Sequence, residues 1–186
     1  MILNLIILVA LVWAFMVGYS RGLILQVIYS FGTIIATFIA ASNYKELAQK
    51  LSIWVPFSNA TENSHLLLFS DKLLFQLDDA FYASISFLAI FIVVYAIIRL
   101  IGLFLHFALS PLGRNGKIIA GILGFAATYF GLQMVLMVLS LVPIAAVQSQ
   151  LDASILARFM VLHTPISSGI LQNLFIENIV HINPLG

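Results

Sequence analysis

The chain contains no cysteine, so neither a disulfide framework nor a thiolate metal site is open to it. Charge is scarce as well. Asp, Glu, Lys and Arg make up 8% of the 186 residues, against about 25% in a soluble globular domain. Eight basic and seven acidic side chains cannot coat a soluble protein of this size. That excludes an ordinary cytosolic enzyme, an intrinsically disordered chain and a basic nucleic-acid binder. No interleaved stripe of aromatic and basic residues points to nucleic acid either. No Walker motif or dinucleotide glycine loop occurs. The four histidines, His65, His106, His163 and His181, are scattered without metal-ligand spacing. No cofactor or metal is expected.

What the chain does have is apolar length: 62% of its residues are hydrophobic. A membrane-crossing helix needs about 20 apolar residues, because each adds about 1.5 Å of rise. Runs free of Asp, Glu, Lys and Arg predict spans over roughly 2–19, 22–41, 80–100 and 118–142. Backbone amides in lipid must be satisfied internally, so the runs read as helices. The ten-residue alternation of a membrane β-barrel is absent. The first run lacks the basic n-region and the Ala-x-Ala site of a signal peptide, so it reads as a retained span. The expected fold is an all-α polytopic membrane protein. Residues 1–143 form a four-helix transmembrane domain with an extracytoplasmic loop over 42–79, and residues 144–186 form an amphipathic tail. Apolar pieces in the long loop predict a short surface helix. In the tail, Ile155, Phe159 and Leu162 share one helical face, as do Ile166, Ile170 and Leu174, with a break at Pro165. Such helices either lie on the outer leaflet or pack on the long loop.

Orientation follows from where Lys and Arg collect. The two short links carry Arg21, Arg99, Arg114 and Lys117, while the other side carries Lys45, Lys50, Lys72 and Arg158 spread over many more residues, with all seven acids. This density puts the short links in the cytoplasm and both termini outside. Span three, read over 80–100, could continue as a helix to about Ala108, with Arg99 then reaching toward the head groups.

Spans one and two are joined by Gly18-Tyr19-Ser20-Arg21-Gly22, so they must form an antiparallel hairpin. The same five residues match the Gly-x-Ser-x-Gly elbow of hydrolases. That elbow needs a strand, a base and an orienting acid, none of which fits here. Arg21 is the candidate interaction residue, with Gly18 and Gly22 shaping the turn. Arg99, Arg114 and Lys117 form a basic cytoplasmic link. Stripes of small residues, Gly32, Ala36 and Ala40 in span two and Gly116, Ala120, Gly124 and Gly131 in span four, suit close helix packing. They join spans two and four or pair two copies of the chain. Gln133 is expected to hydrogen-bond to another helix. Trp13 reads as a packing residue, and Tyr19, Tyr44, Trp54 and Tyr82 as candidate interface anchors. Ser30, Thr33, Thr37, Ser84, Ser86, Thr128 and Gln133 are the plain polar residues of the spans; they could line a path, but their ordinary role is bonding another helix or their own backbone. Asn59-Ala60-Thr61 matches a glycosylation sequon by pattern alone.

These residues resemble the colicin V production (CvpA) family. The resemblance rests on the Gly-x-x-Arg-Gly turn between two spans and on the basic link before Gly121-Ile122-Leu123-Gly124. It rests also on Leu141-Val142-Pro143, followed by Ser154-Ile155-Leu156-Ala157 and Thr164-Pro165-Ile166. The tail looks like Gram-positive members. Two departures stand out. Asn4 replaces an Asp frequent near the start of span one, and the link Arg114-Asn115-Gly116-Lys117 lacks an acid. The resemblance implies a bacterial cytoplasmic-membrane protein that is not an enzyme, a scaffold or accessory factor for production or export of a bacteriocin and for envelope maintenance. Its partners would be the lipid bilayer, secretion or envelope membrane proteins and possible further copies of itself. The alternative from the residues is a small-solute transporter or channel acting as an oligomer. The protease domain of some relatives is not carried over.

Overall fold

The computed structural model describes residues 2–54, 56, 65–106 and 114–181; for Asp71, Lys72, Phe75, Leu105, His106, Arg114 and Asn115 it describes the backbone. The sequon at Asn59 and the helix-breaking Pro111 and Gly113 lie outside the described residues.

Among the described residues four helices are long and apolar enough to cross a membrane. They are α1 (Ile2–Arg21), α2 (Leu23–Trp54), α3 (Leu77–His106) and α4 (Arg114–Ser140). Shorter elements follow: α5 (Ala145–Asp152), α6 (Ile155–Arg158), α7 (Ser167–Gln172) and α8 (Asn178–Val180), with a 3₁₀ turn at Asp71–Gln76. The protein is thus an all-α polytopic membrane protein with additional short helices outside the four spans. Two boundaries differ from the sequence reading. Residues 42–54, expected in a loop, continue α2, because nothing in Asn43–Leu51 breaks a helix and Lys50 and Glu46 pair at 2.7 Å one turn apart. The other is the start of α3, at Leu77 and not Ala80; its run to His106 agrees with a continuation toward Ala108.

Between α1 and α2 only Gly22 lies outside a helix, at φ 88°. A side chain is disfavoured in this left-handed region, so glycine lets the chain reverse in one residue. The helices then pair antiparallel, α2 on α3 and α1 on α4, with α2 also touching α4.

Small residues make these pairs close. A Cβ on Gly18 would lie 2.5 Å from the Ala120 carbonyl oxygen, and one on Gly124 would lie 2.9 Å from that of Ala14. A Cβ on Gly32 would lie 2.6 Å from Ile98. Within one chain, Gly32 and Gly124 do not face each other's stripe. The stripe of α4 receives α1, and Gly32 in α2 receives α3. Gly131 is also placed differently, since nothing stands within 4 Å of a Cβ there.

A cap of short segments covers one end of the bundle. Leu66, Leu68, Phe69 and Leu73 from the long loop share a buried cluster with Tyr44, Phe87, Met160, Leu171 and Phe175. Phe87 and Phe175 meet edge to face at 5.1 Å. Gln148 of α5 donates to the Ser140 and Val142 carbonyls and accepts from the Leu67 amide. One amide side chain thereby ties the end of α4 to the long loop.

The tail goes deeper than a surface helix would. The segments 155–163 and 167–180 meet at 73° around Thr164 and Pro165. Each arm contains a π-helical turn, at Phe159–His163 and Asn173–Glu177. Bundle side chains bond carbonyls in or beside these turns. Gln133 donates to Met160 O at 2.7 Å and Tyr44 to Leu174 O at 2.9 Å, while Gln172 donates to Val161 O at 3.0 Å. At the tip, the Tyr129 and Thr164 hydroxyls are 2.7 Å apart. Tyr129 lies about eleven residues inside the end of α4, roughly 16 Å along the helix. The tail is wedged beside α4, with one face in the core and Ile155, Phe159, Ile166 and Ile170 turned outward.

Candidate functional site

Arg21 ends α1, and its guanidinium stands over the Tyr29 ring, 5.3 Å from the centroid. Arg99 in α3 approaches the same ring at 4.8 Å and the Tyr95 ring at 5.8 Å. Cation–π contacts of this kind contribute about 0.5–2 kcal/mol each. Tyr29 is buried, and Gly102 makes room for it, since a Cβ there would collide with the ring. Tyr95 and Arg99 lie on one face of α3, four residues apart.

Arg99 is not at the end of its helix. Leu100, Ile101, Leu103 and Phe104 follow it, all exposed on the apolar surface of α3. It stacks on the two tyrosines, although the sequence suggested a side chain reaching to the head groups. An arginine flanked by apolar helix is expensive in a membrane and marks a functional position by default.

The two arginines stand where two cavities meet. One, of about 1070 Å³, lies among α2, α3 and α4 and includes Thr33, Phe91, Leu103 and Val135. The other, of about 720 Å³, lies along α1 and includes Trp13, Val17 and Gln26. Arg21, Tyr95, Arg99, Ala127 and Thr128 belong to both. No carboxylate among the described residues lines either cavity. Gln26 is buried at the α1–α4 seam, and its Oε1 has no hydrogen-bond partner. The described ion pairs, Lys50–Glu46 and Arg158–Asp152, belong to other parts of the chain.

The remaining sequence candidates fall as follows. Gly18 sits inside α1 at the α4 contact, while Gly22 alone forms the turn. Ala36, Ala40 and Ala120 are fully buried, and Gly116 is half-buried at the start of α4. Gly131 lines the larger cavity. Lys117 is half-buried near the start of α4 and outside both cavity linings; the side chain of Arg114 lies outside the described residues. Trp13 is 68% exposed at the smaller cavity, not packed inside. Tyr44 and Tyr82, read as interface anchors, are buried by the cap. Ser20 donates to Val17 O at 2.9 Å, an ordinary last-turn bond. Ser30, Thr33 and Thr37 each bond the carbonyl four residues back. Among the described residues no group of three His, Asp or Glu is placed to hold a metal.

Tyr29, Tyr95 and Gln26 escaped the sequence reading. The one local signal was the Tyr95–Arg99 spacing; Tyr29 joins them only through the pairing of α2 with α3. Asn4 was noted merely as a departure. Its Oδ1 accepts from Ser154 Oγ at 2.6 Å and from the Leu156 amide at 3.1 Å, docking the start of the tail.

A family model described as colicin V production protein matches residues 3–165. A Bacillus subtilis protein described as uncharacterized transmembrane protein YshB is 32% identical over 177 residues, which cover 94% of this chain and 98% of that protein. No solved structure matches the chain.

Proposed function

Since the chain belongs to the colicin V production protein family, we propose that it is a membrane scaffold or accessory factor. It would serve production or export of a bacteriocin of the colicin V kind and maintenance of the envelope. The family match across nearly the whole membrane domain carries this reading. The structure contributes a surface suited to it. Ile34, Ile35 and Phe38 on α2 and Ile119 and Ile122 on α4 are exposed and apolar, available to lipid, a secretion or envelope membrane protein or a second copy of the chain. The basic turn faces the cytoplasm and both termini face outward in this proposal, supported by the density of Arg21, Arg99, Arg114 and Lys117.

The test is deletion of the gene in its host, with every secreted protein and peptide quantified. Complementation uses wild type, Arg21→Ala and Arg21→Lys. Selective loss of one exported class, restored by wild type and not by Arg21→Ala, supports a secretory role through this turn. An unchanged secretome removes it. A second reading, a solute transporter or channel, is favoured by the bent tail pair wedged beside α4, since broken helices line substrate paths in transporters. Solute flux in reconstituted vesicles that depends on Gln133 would support it.

A further inference from the structure

Two arginines share one aromatic ring at the junction of two cavities with no carboxylate among the described residues of the lining. Two like charges on one ring, with Arg99 flanked by apolar helix, favour a counter-anion beside them. The described chain supplies none. Arg21 and Arg99 do have Tyr29 and Tyr95, yet a ring quadrupole holds a cation without neutralising it. With no carboxylate among the described residues at hand, the pair suits an anion from outside the chain. Guanidinium forks match phosphate geometry, bonding two oxygens at once.

The rest of the cleft describes what carries that phosphate. Away from the arginines its walls are apolar, with Leu25, Phe91, Ile92 and Leu100 in the larger cavity. Leu100 and Ile92 are themselves exposed on the outer surface of α3, so the cleft opens sideways between helices. A small soluble anion has no use for such walls. An acyl chain does. The unpaired Gln26 Oε1, 2% exposed, adds an acceptor beside the arginines. A hydroxyl-bearing head group would satisfy it.

We propose that the cleft between α3 and the α1–α4 pair is a binding site for a net-anionic phospholipid. Its phosphate is clamped by Arg21 and Arg99, its hydroxylated head group lies toward Gln26, and an acyl chain runs along the apolar walls. The site goes beyond the secretory role and does not depend on it. Surface attraction of a single arginine for lipid is loose and general, whereas this arrangement selects one lipid and holds it between helices.

Trp13 lines the smaller cavity with both arginines, and the second tryptophan, Trp54, stands at the far end of α2. A Trp54→Phe form therefore reports from the site alone. It is reconstituted in phosphatidylcholine vesicles containing a minor fraction of phosphatidylglycerol with brominated acyl chains. The comparison uses brominated phosphatidylcholine at the same fraction. We expect stronger quenching of Trp13 by the anionic lipid. In Arg21→Gln/Arg99→Gln that preference should vanish, by about fivefold per arginine lost. Lys117→Gln removes one charge near the start of α4 but outside the cleft, and should leave the preference in place. Arg21→Lys/Arg99→Lys keeps both charges without the fork and should weaken the preference partially, which also serves should the glutamine pair fail to fold. Added inorganic phosphate or glycerol phosphate should not compete.

Four results would overturn the site. Equal quenching by both lipids in the parent protein removes the lipid. Unchanged preference in a folded double-glutamine form removes the arginines. Equal loss in Lys117→Gln reduces the effect to general surface charge. Competition by soluble phosphate reassigns the clamp to a small anion.

Discussion

The side-chain amide of Gln133, in α4, donates to the carbonyl of Met160, in the π-helical turn of the tail, at 2.7 Å. Thr164 also donates to that carbonyl, at 3.0 Å. A π-turn spaces its backbone bonds more widely than an α-turn and often occurs at functional sites. Here the bundle supplies a donor to its carbonyl, so polar residues inside α4 are there to seat the tail.

Replacing Gln133 with Leu should therefore loosen the tail while the four spans persist. The expected cost is about 0.6–2 kcal/mol, the range for hydrogen bonds between membrane helices. Hydrogen exchange read segment by segment tests this. Protection should fall across 155–180 and hold in α2 and α3. Uniform loss of protection would contradict a role confined to the tail.

Asn4 should tolerate Asp and reject Leu. Its Oδ1 accepts two hydrogen bonds at the start of the tail, from Ser154 Oγ and the Leu156 amide, and a carboxylate accepts both equally well. Leu leaves the buried donors unpaired at about 1–3 kcal/mol. Limited proteolysis near 153–156 should speed up in Asn4→Leu and match the parent in Asn4→Asp.

Gly18→Ala and Gly131→Ala form a matched pair. Both replace a helical glycine, which by propensity alone favours Ala by about 1 kcal/mol. At Gly18 the new methyl meets a backbone carbonyl, that of Ala120, and α1 must move away from α4. Overpacking of this sort costs about 1–3 kcal/mol. At Gly131 the methyl enters open cavity. Thermal unfolding in detergent should show a lower Tm for Gly18→Ala and an unchanged or slightly higher one for Gly131→Ala.

Gly22→Ala should weaken the hairpin by about 1–2 kcal/mol, because its φ of 88° puts a Cβ against the following carbonyl. Gly22→Asn should cost less, since Asn tolerates the left-handed region better. Urea or thermal denaturation of the two variants side by side checks the order.

The absence of cysteine makes topology directly measurable. Single cysteines at Ser20, Ser52 and Ser149 all sit at exposed positions. With the termini outside, a membrane-impermeant maleimide should label Ser52→Cys and Ser149→Cys in intact cells, and Ser20→Cys only after lysis. The reverse pattern inverts the protein in the membrane. Ser168 is a poor probe, because it is buried and bonded to the Thr164 carbonyl at 2.6 Å.

The sequence by itself determined the membrane class, the number of long helices and the hairpin at Gly22. These follow from local quantities: run length against bilayer thickness, the scarcity of charge, and a link too short for any other connection. Tertiary structure decided which stripe met which helix, because Gly32 and Gly124 look alike along the chain and differ only in the neighbour that fills their space. It also decided the fate of the tail. Periodicity revealed two faces on 155–180, but the depth of the wedge depends on donors from Tyr44, Tyr129 and Gln133, far away in sequence. The arginine pair is the clearest case. Arg21 and Arg99 stand in separate links of the sequence, and each alone reads as a topology signal. Only the antiparallel pairing of α2 with α3, set by close packing at Gly32 and Gly102, brings Tyr29 within reach of both and turns two isolated charges into one cationic site.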